Sequence, residues 1–554
     1  MTNVGGATES SHLLTADSSS GEHGEGKIRS HGNQGHHHHH GSVRRLHESV
    51  PLYAKPMQRQ RWDDVQVLPH VNWGDLYFDL FYVAAAYQLS HAFKDSPTYE
   101  GLFYFFASYF PMFLIWQEKL LYDARYSNDD NLFYRAVEVF HLCMLGLAVS
   151  CIQPAEIMKD TYNNSTMTLF TGAYLCDTIA LAYMYMDIRR NAICGEEAKS
   201  NALLELVRKA IGGAFYVAAF AISAHDYFTG SNRSSWSESE DGDERSNYLP
   251  AALLIAGFVV EFVYTPVFAF LVIPKWNLSH KQVMVPINLE FTIHRIGEWV
   301  MLMLGESVLS ILTSPTNEAT STPAYRVSFF AGILTVTMFQ YLFFRTQPSE
   351  AKDHAMRRSQ GGGFTFLFCH IFYSASLILV GCCYKMMLSE QEMMNQAEEE
   401  EVEYDVKERI ALVYAASQTI SFLALDNMTI SHRGFGVNFS RFRITDSNGN
   451  KQWATIPWIV FFIELLLLAA TVGLSQVHDL QLLSVYGCLL VFGQVMLRTF
   501  GLRYFPVTIA QMERALHPQD YTCISSSGKV TFDDVDGDQR RWPNVTEPAT
   551  TPKH

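Results

Sequence analysis

Glu290, His294 and Glu298 recur every four residues in the stretch NLEFTIHRIGEWVMLMLGESVLSIL. On a helix they would share one face over two turns. Arg295 stands beside that face, three residues before Glu298 and within reach of an ion pair. Glu306 follows two turns beyond Glu298, directly after Gly305. A second stretch, NWGDLYFDLFYVAAAYQLSHAF, puts Asp75 and Asp79 four apart on one face, with His91 three residues after Gln88 near its far end. Acids, an imidazole and a guanidinium so spaced can relay protons or line a cation path. The same groups can instead form a buried salt-bridge network that only fixes helix packing. Asp75 has a third reading, as an interfacial helix cap beside Trp73.

Other ionisable residues are more isolated. His141 and His370 are lone imidazoles within VFHLCMLGLAV and LFCHIFYSASLILVG, where a hydrogen-bonded core role is commoner than ligation. Asp177, Glu261 and Glu464 lie midway along apolar runs, and Asp426 and Arg498 lie nearer the ends of theirs. No phosphate-cradling glycine loop, HExxH metal motif or GxSxG elbow occurs. An enzyme is therefore not expected, nor a cofactor or metal site. An intramembrane lipid enzyme would have only His294 and its two glutamates to work with. Most of the nine cysteines sit inside apolar runs as small hydrophobes, which argues against a disulfide framework.

Hydropathy predicts the elements that must hold these residues. Apolar runs of helical length recur at roughly 74–93, 101–121, 132–153, 167–188, 206–228, 249–273, 287–312, 325–345, 364–388, 408–430, 456–475 and 481–504. Each approaches the ~20 residues that cross a bilayer. The first, fifth, seventh and tenth are the most polar, so ten to twelve crossings are expected. The fold class is an all-α polytopic transmembrane helix bundle spanning 61–505, between polar tails at 1–60 and 506–554. The tails, the first with a histidine tract at His36–His40, hold the mean hydropathy to +0.01 although 48% of residues are hydrophobic. Thr265-Pro266 predicts a kink in the sixth run and a carbonyl freed nearby.

Charge distribution orients the bundle. Lys and Arg, with Arg125, Arg208 and Lys209 among them, gather in alternate loops, which places both termini in the cytoplasm, and sequons at Asn163, Asn164 and Asn232 fall on the opposite side. A net charge of −15 with no basic stripe excludes nucleic-acid binding as the leading function. The partners expected are the lipid bilayer and a small solute or ion; oligomeric state is not legible. Similar placement of His141 and His370, and of acids closing the fourth and tenth runs, suggests a parallel repeat of six plus six helices.

Two motifs resemble the low temperature requirement A (LtrA) family of multi-pass membrane proteins. In WGDLYFDLFYVAAAYQLS, residues Trp73, Asp75, Phe78, Asp79, Leu80 and Val83 match that family's opening pattern. In HRIGEWVMLMLGESVLSI, residues Arg295, Gly297, Leu304, Gly305, Glu306 and Ser307 match in order and spacing. His294 replaces the family's acid, and Glu298 stands where an apolar residue is usual. A weaker match joins Arg357-Arg358, a glycine linker and His370. The resemblance covers about 70–505 and implies a membrane bundle in which Asp79, Arg295 and Glu306 matter. The family name refers to growth in the cold and implies no reaction. The leading expectation is a secondary transporter or channel-like protein, with protons passing through Asp79, His294, Glu298 and Glu306. The alternative is a non-transporting receptor, lipid-binding protein or scaffold.

Overall fold

Long apolar runs leave the backbone little choice but helix, because each N–H inside hydrocarbon must find a carbonyl in its own segment. The computed structural model describes residues 51–59, 73–127, 131–190, 195–233, 247–275, 284–313, 322–348, 353–393, 400–433, 443–445, 451–453 and 455–504. The histidine tract, the acidic loop SESEDGDERS (237–246), the C-terminal tail and three further sequons, at Asn277, Asn438 and Asn544 on the expected cytoplasmic side, lie outside them.

The long helices among the described residues are α1 (Trp73–Asp95), α2 (Tyr99–Arg125), α3 (Leu132–Ser150), α4 (Thr166–Arg190), α5 (Glu196–Arg233) and α6 (Leu249–Val267). They continue with α7 (Leu289–Leu312), α8 (Pro323–Thr346), α9 (Gln360–Met393), α10 (Glu400–Arg433), α11 (Thr455–Gly473) and α12 (Leu480–Tyr504). Side-chain caps start several of them. Thr98 accepts from Gly101 N at 3.0 Å, Asn131 from Tyr134 N at 2.9 Å and Asn288 from Phe291 N at 3.1 Å. Each answers an N–H that the first turn leaves open. Asn288 N also donates to Ala124 O at 3.0 Å, which ties the start of α7 to the end of α2.

Just after Thr265-Pro266, where a kink is expected, the helix widens into a π-helical turn at Phe268–Val272, and Ile273–Lys275 is α-helical again. A proline without an N–H leaves a carbonyl unanswered, and the wider turn follows it. Helix α5 begins ten residues before its apolar run. EEAKSNALLE at 196–205 is built of good helix formers, with Glu196 and Glu197 favoured at the positive helix start. Pro51–Arg59, read from the sequence as the end of the tail, is extended. Met57–Gln58 pairs antiparallel with Tyr126–Ser127 just after α2, and Pro51 O and Leu52 O accept from Leu132 N and Phe133 N. A second short hairpin joins Arg443–Thr445 to Lys451–Trp453.

Helix α9 is the centre of the core. Cys382, Cys383, Tyr384 and Met387 are fully buried, and α9 packs against α1, α7, α8, α10 and α12. At its crossing with α7 the backbones nearly touch, since a Cβ on Gly381 would lie 2.6 Å from Ser307 Cα. Ser307 Oγ closes the contact by donating to Leu377 O at 2.9 Å. Small residues permit such close crossings in membrane bundles. Gly381→Ala is therefore expected to destabilise by about 1–3 kcal/mol through overpacking. Gly305→Ala, with nothing within 4 Å of its site, is the control. It should be neutral or stabilise by up to ~1 kcal/mol through helix propensity. Thermal unfolding in detergent checks both.

The outside of the bundle is apolar. Helix α11 exposes Ile459, Phe462, Leu465 and Leu466, and α8 exposes Phe330 and Leu334. Among the described residues eight helices, α3, α4, α5, α6 (run on to Lys275), α8, α9, α11 and α12, are long and apolar enough to cross a membrane. The remaining long helices, α1, α2, α7 and α10, carry the polar residues that lower their hydropathy, and much of that polarity points inward.

Candidate functional site

Asp79 lies in the second turn of α1 and is fully buried. Arg295, in the second turn of α7, meets it with two parallel bonds, Nη1 to Oδ2 at 2.7 Å and Nη2 to Oδ1 at 2.8 Å. Trp116 Nε1 of α2 donates to Oδ1 as well, at 3.3 Å. A planar guanidinium suits a carboxylate in this way, and the geometry is more specific than a point charge would give. Arg295 Nη1 is shared, because it also donates to Glu298 Oε2 at 2.8 Å. The other oxygen of Glu298 lies 3.1 Å from His294 Nε2. Two carboxylates from two helices thus compete for one guanidinium, and an imidazole adjoins the outer one.

A larger network lies between α2, α5 and α6. Arg208 bridges Glu118 at 3.1 Å and Glu205 at 2.7 Å; Lys209 bridges Glu118 and Glu261, the latter at 2.9 Å; Arg125 reaches Glu205 at 2.7 Å. Three cations face three carboxylates, all nearly removed from solvent, so the group is formally neutral. Gly212 makes room for it: a Cβ there would sit 2.2 Å from the Glu261 carboxylate. Sequence reasoning named only Glu261 as a buried acid and counted Arg125, Arg208 and Lys209 among the loop cations that set orientation. The structure places them in buried or nearly buried ion pairs within helices. The spacing Glu205-x-x-Arg208 was the available signal.

Between the two networks lies a third polar pair. His141 Nδ1 of α3 contacts Asp177 Oδ1 of α4, and Phe78 stacks on the imidazole at 5.0 Å. The buried ring of Tyr82 packs on Phe78 at 5.2 Å and on Trp299 at 5.2 Å, and its hydroxyl lies in the field of both Asp79 and Asp177. Tyr174 lies in the field of both Asp177 and Glu261, and Tyr216, edge to face with it at 4.6 Å, lies in the field of Glu261 and Glu118. A succession of buried polar groups therefore runs from α1 and α7 to α5 and α6.

The remaining residues singled out from sequence are not drawn into this system. Glu306 is fully buried on α7 but accepts from Ser310 Oγ at 2.6 Å, apart from Asp79 and Glu298. His91 is partly exposed and binds Asp95 at 3.0 Å. Glu290 is half-buried in the first turn of α7. His370 is fully buried beside Trp116, ring centroids 6.1 Å apart, with no acid among the described residues paired to it. Its setting differs from that of the acid-paired His141. Asp426 pairs with Arg498. The side chain of Asp75 lies outside the described residues. Near the Arg357-Arg358 motif, Arg358 donates to His432 O at 2.7 Å, and burial pushes the neighbouring His354 imidazole down to about 3. Among the described residues no cluster has the ligand set of a metal site.

An all-α bundle with apolar outer helices and ionisable groups paired within is an integral membrane protein. The family described as bacterial low temperature requirement A protein (LtrA) has a model that matches residues 70–493. The chain belongs to the LtrA family. No curated protein and no solved structure matches it. The two motifs that carry the resemblance meet in space, because Asp79 of the first is the partner of Arg295 of the second.

Proposed function

We propose that the chain is a secondary transporter or channel-like protein for a small solute or cation, with protons handed through His294, Glu298 and Asp79. The observation that carries this reading is graded exposure along one connected set of groups. His294 is 52% exposed, Glu298 23%, Arg295 8% and Asp79 fully buried. Such a series leads from the edge of the bundle into its core. A proton on Glu298 would weaken its hold on Arg295 and leave the guanidinium to Asp79; a proton on Asp79 would do the reverse. That is a two-state element that an ion or proton can bias. Buried ionisable groups are costly in hydrocarbon and are functional candidates for that reason.

The full topology belongs to the same proposal: twelve crossings, both termini cytoplasmic, arranged as two six-helix halves. The length of α1, α2, α7 and α10, and the internal pairing of Asp79, Glu118 and Arg295, support counting these four helices as crossings.

Purified protein reconstituted in vesicles with an imposed pH gradient tests the reading. Some member of a panel of cations and small solutes should move, and Asp79→Asn should slow it at least tenfold. Folded protein that moves nothing in the panel would sink the transport reading. The complete pairing of charges between α2, α5 and α6 favours a second reading, a non-transporting receptor, lipid-binding protein or scaffold, in which the networks only fix the packing.

A further inference from the structure

An acid and an amine are buried beyond the networks, near the other end of α1 and α7, and they do not hydrogen-bond to each other. Glu306 is 0% exposed; Oε1 accepts from Ser310 Oγ at 2.6 Å, while Oε2 has no hydrogen-bond partner. Lys385 of α9 is 5% exposed; its Nζ also has no hydrogen-bond partner and lies 4.9 Å above the Tyr87 ring. The two are close enough to feel each other's charge. Lys94 and Asp95, at the end of α1, contribute to the field at Lys385, and Asp95 is held by His91. Fully buried hydroxyls stand beside Glu306: Ser90 Oγ of α1 is 3.1 Å from Ser310 Oγ. Cys382 Sγ donates to Ser90 O at 3.1 Å, which fixes α9 to α1 at this level.

Buried charges are normally paired and hydrogen-bonded, and an open ammonium and an open carboxylate oxygen in one region call for a partner of complementary charges. A single cation would satisfy Glu306 and add repulsion at Lys385, and a single anion would do the opposite. Water would bond to both but neutralise neither. We infer that Glu306 and Lys385 form a binding site for a small zwitterion of the free amino acid class, with the ligand ammonium on Glu306 and its carboxylate on Lys385. The ligand brings no net charge, so the site stays neutral when filled. The Ser90 and Ser310 hydroxyls offer further bonds to the ammonium. Neither Glu306 nor Lys385 belongs to the Asp79 system, so the inference does not depend on transport.

Binding to the full-length protein in detergent tests it, with alanine as the zwitterion and ethylammonium and propionate as its two halves. Alanine, or another neutral amino acid of a full panel, should raise the unfolding temperature saturably, with neither half doing so at the same concentration. Glu306→Gln and Lys385→Met should each weaken binding of that amino acid at least tenfold, and Lys385→Arg should weaken it less than Lys385→Met. If either neutral variant fails to fold, competition by the two halves against the radiolabelled amino acid on the unaltered protein decides, with no displacement expected. No binding across the panel, equal effects of a half and the whole, or unchanged affinity in folded variants would overturn the site. Binding without flux would count against transport and leave this site standing; flux without amino acid binding would do the reverse.

Discussion

Arg295→Met should destabilise the protein by about 3–5 kcal/mol, since it strands a buried carboxylate without its partner. Asp79 would keep only the 3.3 Å bond from Trp116 Nε1. The companion variant Asp79→Asn/Arg295→Met removes both charges and should recover much of the loss, because a desolvated pair replaced as a pair is often nearly neutral. Unfolding of the single and double variants in detergent, completed as a cycle with Asp79→Asn, yields the coupling energy directly. Near-zero coupling would mean that the bidentate contact contributes little.

Much of the fold behind that contact was legible in the sequence, and much of the site was not. Every apolar run read from hydropathy is a helix, because helix is the only open-chain way to satisfy backbone groups inside a bilayer. The helical periodicity also put Glu298 within reach of Arg295, a local relation. Asp79 and Arg295 are 216 residues apart, and nothing in either stretch says that one completes the other. The Lys and Arg count includes Arg208 and Lys209, whose ion pairs it does not show. Arg208 and Lys209 lie at the start of the apolar run of α5, where the helix packs them into contact with Glu118 of α2 and, for Lys209, Glu261 of α6. Glu118, near the polar end of α2, gave no signal of its own. The parallel drawn between His141 and His370 rested on similar apolar surroundings, whereas their settings depend on which neighbouring helix supplies an acid.

Lys209→Met is the second large effect, again about 3–5 kcal/mol of lost stability from breaking a buried ion network. Lys209 is the cation that holds Glu118 and Glu261 together. Without it two carboxylates from α2 and α6 face each other, with Arg208 engaged by Glu118 and Glu205. Glu261→Gln introduced with Lys209→Met should return a substantial part of the loss. If the second change adds to the first, the network does not bind α6 to α2 as described.

Proton-coupled flux in vesicles, compared between the natural protein and Asp79→Asn/Arg295→Met, tests the central claim most directly. The double variant separates packing from function because it is expected to fold while lacking the shared guanidinium and its buried carboxylate. If those charges are the moving parts of transport, the folded double variant should lose at least tenfold in flux. Flux at the natural rate would contradict the account and leave the Asp79–Arg295 pair a structural bond.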